Sequence, residues 1–365
     1  VGDLTMEFLH EGLPQKRLKA VWRKPQIGEQ SQPEDEDYGE TLLKLLAMPT
    51  IRSKEDVIRR YDHEVQGGTA IKPLVGAKNS GPSDATVIVP HEVQGNSKDT
   101  TGIALSVGMC PQYTDYDPYA MAWAAIDEAI RNLVAVGADP DQIAILDNFS
   151  WGNTNLPDRL GELVRCAQGC HDAAIAYGVP FISGKDSLNN EYLGADGERH
   201  AIPGTLVISA IGIVPDVTKT VTMDLKKVGN PLFVIGETRD EMGGSHYNLL
   251  HGIEGGTVPQ PKPNALNIYR ELHKAIQAGF VQSAHDVSEG GFAVALAEMA
   301  FAGGLGITAN QPKDSLFSES TGQIIVEVSS QFQNEFEALD LPHRYLGTVM
   351  SKEQGRRLQI ISEGE

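Results

Sequence analysis

The residues of this sequence best suited to chemistry are oxygen-bearing side chains placed at the ends of apolar runs. Asp84 closes Gly81-Pro82-Ser83-Asp84, directly before the apolar run 85–89, so its carboxylate projects from a turn at a strand entrance. A carboxylate there either meets a ligand or closes an Asx-type turn. Glu128 and Asn132 stand four apart within the helical pattern 121–133, which puts both on one helix face. A carboxylate and a carboxamide oxygen suit magnesium, a hard cation that completes its octahedron with water and nucleotide phosphates. Taken alone, the pair would more often make a solvated helix face.

Two further clusters suit phosphate. Ala284-His285-Asp286-Val287-Ser288-Glu289-Gly290-Gly291 runs into the apolar helix 293–300, where free backbone N–H groups favour an anion. Ser288 reads as a nucleotide contact or as a plain N-cap, with Asp286 completing the turn. In Gly184-Lys185-Asp186-Ser187 the glycine permits close backbone approach, and Lys185 and Ser187 offer donors to phosphate. The spacing is not that of a P-loop, and an ordinary glycine turn remains open. Asp147 ends a strand before Asn148 and could bond an adenine or a ribose, or serve a turn.

The elements positioning these residues follow from periodicity. Strands are expected at 86–90, 103–107, 142–147 and 205–214, with a short apolar strand leading into a Gly-Lys-Asp-Ser loop at Gly184. Helices are expected at 119–136, ended by Gly137 in a left-handed cap, and at 158–177, followed by Gly178. Pro215 marks the end of the first domain. Beyond it, 231–235, 306–309, 324–328 and 358–361 read as strands, and 264–278 and 292–302 as helices. The class is α/β. Residues 4–22 alternate like a strand pair, and the polar, Gln- and Pro-bearing stretch 25–37 reads as a linker.

Composition bounds the function classes. A length of 365 residues favours two domains. A formal charge of −19, from 30 basic and 49 acidic residues, argues against nucleic-acid binding. An anionic ligand therefore needs metal ions or helix N-termini. Cys110, Cys166 and Cys170 are too few and too irregular for a disulfide framework and fit a reducing cytoplasm. No signal segment and no run of eighteen apolar residues is present, so a soluble, non-membrane protein is expected. An opening at Val1, without a clear start, suggests a chain cut from something longer.

The order of the motifs carries more than any one of them. Tyr61-Asp-His-Glu-Val-Gln-Gly-Gly, Gly81-Pro-Ser-Asp, Asp127-Glu-Ala-Ile-Arg-Asn, Gly184-Lys-Asp-Ser, Gly243-Gly-Ser-His-Tyr, His285-Asp-Val-Ser-Glu-Gly-Gly and Leu316-Phe-Ser-Glu-Ser occur in sequence. From about residue 40 to 361 this resembles the second, C-terminal synthetase half of phosphoribosylformylglycinamidine synthase. The resemblance implies a tail of the preceding half plus linker at 1–39 and two α/β domains at 40–215 and 216–365. It also implies the aminoimidazole ribonucleotide synthetase-like fold, whose first-domain sheet pairs into a barrel with a partner half.

The implied reaction joins formylglycinamide ribonucleotide and glutamine-derived ammonia at the expense of ATP, through a phosphorylated amide oxygen. Asp84, Glu128, Asn132 and Asp286 match magnesium ligands of an auxiliary, structural nucleotide site, and Ser288 a nucleotide contact there. Asp147 and Gly184 match contacts to the catalytic ATP, and Ser187 a substrate contact. The family has a small and a large form; Lys185 stands where the small form has an Asn magnesium ligand, and it resembles the large form's Gly-Lys-Asp-Ser version. Lacking a lone pair as an ammonium, it is read as a phosphate contact.

No catalytic residue is assigned. The family histidine belongs to the first half, and His63 holds only a pseudosymmetric place. Cys110 lacks the partners of a glutaminase nucleophile. The implied partners are the first synthetase half, a glutaminase domain or subunit, a small accessory subunit, and a second copy of this chain. Alone, the chain is expected to be inactive. The alternatives are a noncatalytic nucleotide-binding scaffold, or another ATP enzyme of the superfold such as aminoimidazole ribonucleotide synthetase or selenophosphate synthetase.

Overall fold

The computed structural model describes residues 2–12, 16–26, 28, 37–94, 98–351 and 358–361. Two six-stranded sheets organise it. The first uses β1 (Thr69–Ile71), β2 (Thr86–Ile88), β3 (Gly102–Gly108), β4 (Ile143–Ser150), β5 (Phe181–Ser187) and β6 (Thr205–Val214), in the order β1-β2-β3-β6-β4-β5. All neighbours are antiparallel except β4 and β5, which run parallel and are joined through helix α2 (Pro157–Tyr177), as a parallel crossover requires.

The second sheet uses β7 (Pro231–Ile235), β8 (Val281–Asp286), β9 (Gly306–Asn310), β10 (Ile324–Val328), β11 (His343–Met350) and β12 (Leu358–Ile361), in the order β8-β10-β7-β11-β9-β12. Helices α3 (Ala265–Gln277) and α4 (Gly291–Gly303) accompany it. The α/β class expected from periodicity is therefore present, as two sheets with helices.

Helix α1 (Pro118–Ala135) is the axis of the core. Asp117 caps it by accepting from Tyr119 N, Pro118 occupies the first turn, and every residue except Tyr119 is buried. It packs on β3 and β6 and also meets α2, α3 and β8, so it touches elements of both sheets. Gly108 permits this closeness. A Cβ there would fall 2.0 Å from Ala125 O, so no other residue fits without moving α1 off the strand.

The opposite face of the first sheet is different. β3 alternates buried and outward residues, leaving Leu105 45% and Val107 52% exposed, while Ile182 on the edge strand β5 is 60% exposed. Within this chain the sheet is open, and these three apolar side chains are left exposed on it.

Several expectations are corrected. Residues 4–22 hold no strand among those described. Met6–Glu11 is a helix, because Thr5 caps it through Oγ1 at 3.2 Å from Phe8 N. The Gly-Lys-Asp-Ser segment is not a loop but the second half of β5, and Asp147 lies inside β4, which continues to Ser150. Parallel pairing of Asp147 with Gly184 and of Ser150 with Ser187 supplies the backbone partners that make these polar stretches strands. Most of the expected linker 25–37 falls on residues 27 and 29–36, outside the described residues. No described helix is long and apolar enough to cross a membrane.

Candidate functional site

The site begins as a polar stripe on an otherwise apolar helix. Asp127, Glu128, Arg131 and Asn132 of α1 are all buried, so the solvated-face reading of Glu128 and Asn132 fails. The end of β3 holds them. Glu128 Oε2 accepts from Met109 N at 2.8 Å, and Asn132 Nδ2 donates to Val107 O at 3.2 Å. This leaves Asn132 Oδ1 buried without a hydrogen-bond partner.

The remaining members arrive from distant segments. Asp286 ends β8, and its Oδ2 accepts from Arg131 at 3.1 Å. Arg131 also pairs with Asp127, which accepts from Tyr177 Oη and Tyr269 Oη at 2.6 Å each and from Gly322 N at 2.8 Å. Asp84 sits in the bend before β2. Its Oδ1 accepts from His285 Nδ1 at 2.9 Å and from Asp286 N at 3.0 Å, while Oδ2 is buried and unpartnered. Ser288 is not the N-cap of α4. Gly290 holds that position at φ 81°, and Ser288 Oγ donates to Asp286 Oδ1 at 3.4 Å.

Asp84, Glu128, Asn132, Asp286 and Ser288 line one cleft of about 750 Å³ between β2, β3, α1, α4 and the segment 46–58. Ligand atoms of Asp84, His285 and Asp286 lie within 4.8 Å of one another. Lys54 stands on the rim, its Nζ donating to the carbonyls of Thr50 and Arg52.

The electrostatics call for a cation. Burial, then Glu289 and Asp286, push the Glu128 carboxyl well above its usual range. Burial pushes Asp286 up to about 6 against the pull of Arg131. Burial also raises Glu289, with His246 opposing and Glu319 adding to the rise. Burial disfavours charge on His285, but Asp84 and Glu298 outweigh it and hold its pKa well above the usual value. Glu128 and Asp286 share the one guanidinium of Arg131, and a divalent ion between them would compensate the buried charge further.

The second group does not join the cleft. Asp147, Gly184, Lys185 and Ser187 lie on β4 and β5, at the far edge of the first sheet from β1 and β2. A Cβ on Gly184 would fall 2.6 Å from Asp147 Oδ1, so the glycine lets that carboxylate lie over the edge strand. Lys185 is exposed, and its Nζ meets Ser187 Oγ. Burial, then Asp186, raise the Asp147 pKa. His63 is away from both groups, its Nδ1 3.3 Å from Tyr61 O. Cys110 lies against Glu128 with its thiol pushed up by burial, far from a nucleophile's setting.

Sequence reasoning missed Arg131, His285, Glu289, Glu298 and Lys54. For Arg131 a signal existed, since an arginine inside an Ala-rich apolar helix must find a buried carboxylate. His285 and Glu289 lie within the Ala284–Gly291 cluster but take no role in its sequence reading, and Glu298 and Lys54 carry no local signal.

Comparison with known proteins adds the lineage. The family described as AIR synthase related protein, N-terminal domain, matches residues 82–214, and its C-terminal domain counterpart matches 227–350. The phosphoribosylformylglycinamidine synthase subunit PurL of Methanocaldococcus jannaschii is 37% identical over 374 residues, covering 99% of this chain and 48% of the relative. The chain thus spans about half the length of the curated relatives it matches. Among solved structures, T. maritima PurL complexed with FGAR superposes with a TM-score of 0.64 at 17% identity, over 87% of this chain and 50% of that one. T. maritima PurL complexed with ATP gives 0.55 at 20% identity, over 91% and 44%. At these identities the superpositions speak for the fold.

Proposed function

The chain carries both AIR synthase related domains and is homologous to phosphoribosylformylglycinamidine synthase subunits, and on that premise we propose that it acts as the second synthetase half of that ATP-dependent ligase in purine biosynthesis. The observation that carries the reading is the convergence of Asp84, Glu128, Asn132 and Asp286 on one cleft, with Asp84 Oδ2 and Asn132 Oδ1 buried and unpartnered. An all-oxygen set of three carboxylates and an amide fits magnesium. These four residues would hold the ion, and Ser288 would meet the nucleotide, ADP or ATP. When bound, magnesium supplies positive charge that ties nucleotide phosphates to the buried carboxylates.

The second group is a contribution to another site. Asp147 and Gly184 would meet the ATP that drives the reaction, Lys185 its phosphates and Ser187 the substrate, once a preceding half covers the sheet edge. The exposed Ile182 on β5 supports that pairing, since an apolar side chain left open at a sheet edge suits a partner surface. Domains at 40–215 and 216–365 agree with one sheet in each. Ammonia would come from a glutaminase domain or subunit, the reaction taking place in a cytoplasmic complex, and the chain alone would not turn over.

Calorimetric titration of the 365-residue chain with MgCl2 and ADP tests the cleft. Asp84→Asn and Asp286→Asn should each weaken magnesium-dependent ADP binding by ~100-fold, and unchanged affinity in both would sink the assignment. Adding a first-half polypeptide with ammonia, ATP and substrate should restore product. Persistent inactivity beside tight nucleotide binding would leave a scaffold role instead.

A further inference from the structure

The strongest feature outside the four oxygen ligands is a line of three side chains that runs from the second sheet's helix to the first sheet's entrance. Glu298 on α4 places Oε2 3.0 Å from His285 Nε2, and His285 Nδ1 stands 2.9 Å from Asp84 Oδ1. The side chains are 14%, 7% and 1% exposed, in that order. Each ring nitrogen of His285 faces a carboxylate, so the imidazole has no lone pair to offer an ion. Its proximity to Asp84 and Asp286 therefore does not make it a ligand.

We propose that Glu298 and His285 are positioning residues, a relay that turns the Asp84 carboxylate so that Oδ1 is occupied and Oδ2 alone is presented to the cation. The geometry accounts for every atom in the line. Asp84 sits on a bend, where a short side chain has rotameric freedom and no helix or strand to set its direction. Oδ1 is fixed from two sides, by the ring and by Asp286 N at 3.0 Å, and Oδ2 is left buried with no partner. A buried oxygen without a partner costs free energy. Glu298, one helix turn beyond Val294 and on the wall of the same cleft, fixes the ring plane that fixes Oδ1. Hydrogen-bond partners behind a metal ligand commonly control affinity by 10- to 100-fold.

The inference rests on the magnesium–nucleotide reading of the cleft, and the experiment separates the two. Titrations of the full chain with MgCl2 and ADP, paired with thermal melts of the metal-free protein, compare His285→Asn, His285→Gln, Glu298→Gln and Glu298→Ala. The Asn carboxamide reaches about as far as Nδ1 and keeps a donor to Asp84. Gln reaches about as far as Nε2 and keeps only the Glu298 contact. His285→Asn, which keeps the donor to Asp84 but gives up the Glu298 contact, should lose no more than Glu298→Ala does, within about tenfold of the parent, and His285→Gln should bind at least about fivefold more weakly than His285→Asn. Glu298→Gln, whose carbonyl still accepts from the ring, should stay close to the parent, while Glu298→Ala should lose roughly five- to tenfold.

A purely structural role would instead make affinity follow the melting temperature. If His285→Asn binds as weakly as His285→Gln, or if His285→Gln and Glu298→Ala bind like the folded parent, the relay is overturned and the cleft assignment stands. If the parent itself shows no magnesium-dependent ADP binding, or Asp84→Asn binds as the parent does, the cleft assignment falls and takes the relay with it.

Discussion

The cleft around Asp84 and the edge strand around Lys185 contain similar residue types and are built in opposite ways. In the cleft, polar groups from α1, β8 and the bend before β2 are buried and cross-linked, with Arg131 pinned between Asp127 and Asp286. At the edge, Lys185 and its neighbours sit on an exposed, polar strand that pairs, among the described residues, with β4 alone. The first site is complete within one chain and preorganised by the fold, since its oxygens are placed by the same contacts that hold the two sheets together. The second has one wall. On the proposed function its residues would be completed by a surface of another polypeptide, so the two regions should answer the same substitution differently.

Removal of a cation gives the largest contrast. Arg131→Met leaves Asp127 and Asp286 buried without their shared partner, and breaking a buried pair from one side costs about 3–5 kcal/mol. Urea unfolding of the metal-free chain should show that loss. Saturating MgCl2 and ADP should recover part of it, because the ion compensates Asp286 but not Asp127. A loss below ~1 kcal/mol would mean that the cleft is not part of the fold's scaffold.

A smaller effect sharpens the same contrast through pH. His246 is buried against Glu319, which also accepts from Gly290 N at 2.8 Å and so supports the turn into α4. Burial works against the imidazolium, but Glu319 overcomes it and raises the pKa above the usual value. A group raised in the folded state stabilises fully below its unfolded pKa, about 6.5, and that contribution is lost as pH climbs through the higher folded value. Stability to urea should therefore decline by on the order of 1 kcal/mol between neutral and mildly alkaline pH. His246→Asn should flatten this decline, and an unchanged slope in that variant would remove His246 from the account.

The two regions were also unequally legible. Strands Thr205–Val214, Pro231–Ile235 and Ile324–Val328 and the helices around them follow from periodicity, because their apolar faces must be buried. Val281–Asp286 and His343–Met350 escaped it. The first ends in His285 and Asp286, which read as the preface to a helix, and the second mixes Arg344, Tyr345 and Thr348 with apolar residues. The Gly184–Ser187 stretch escaped because an exposed polar edge strand shows no alternation, its strand character coming from its neighbour. In the cleft, Glu128 and Asn132 follow from helix spacing. The contacts that hold them in a site do not, since Arg131 meets Asp286 across 155 residues and His285 meets Asp84 across 201. Sequence alone shows the donors but not which of them converge.

The smallest expected effect is the one that tests the edge itself. Lys185→Met removes a cation, as Arg131→Met does, but from a side chain that is exposed and bonded only to Ser187 Oγ. Exposed substitutions of this kind stay within ~0.5 kcal/mol, and magnesium-dependent ADP binding in the cleft should be unchanged within about twofold. The consequence should appear only when the missing wall is supplied. With a first-half polypeptide, ATP, substrate and ammonia, Lys185→Met should depress turnover, because a phosphate would then lose its fixed positive charge. If Lys185→Met instead lowers ADP affinity in the chain alone, the edge and the cleft are one site and the contrast between them fails. If it leaves turnover intact in the reconstituted enzyme, the edge strand is structural, and the second wall forms elsewhere.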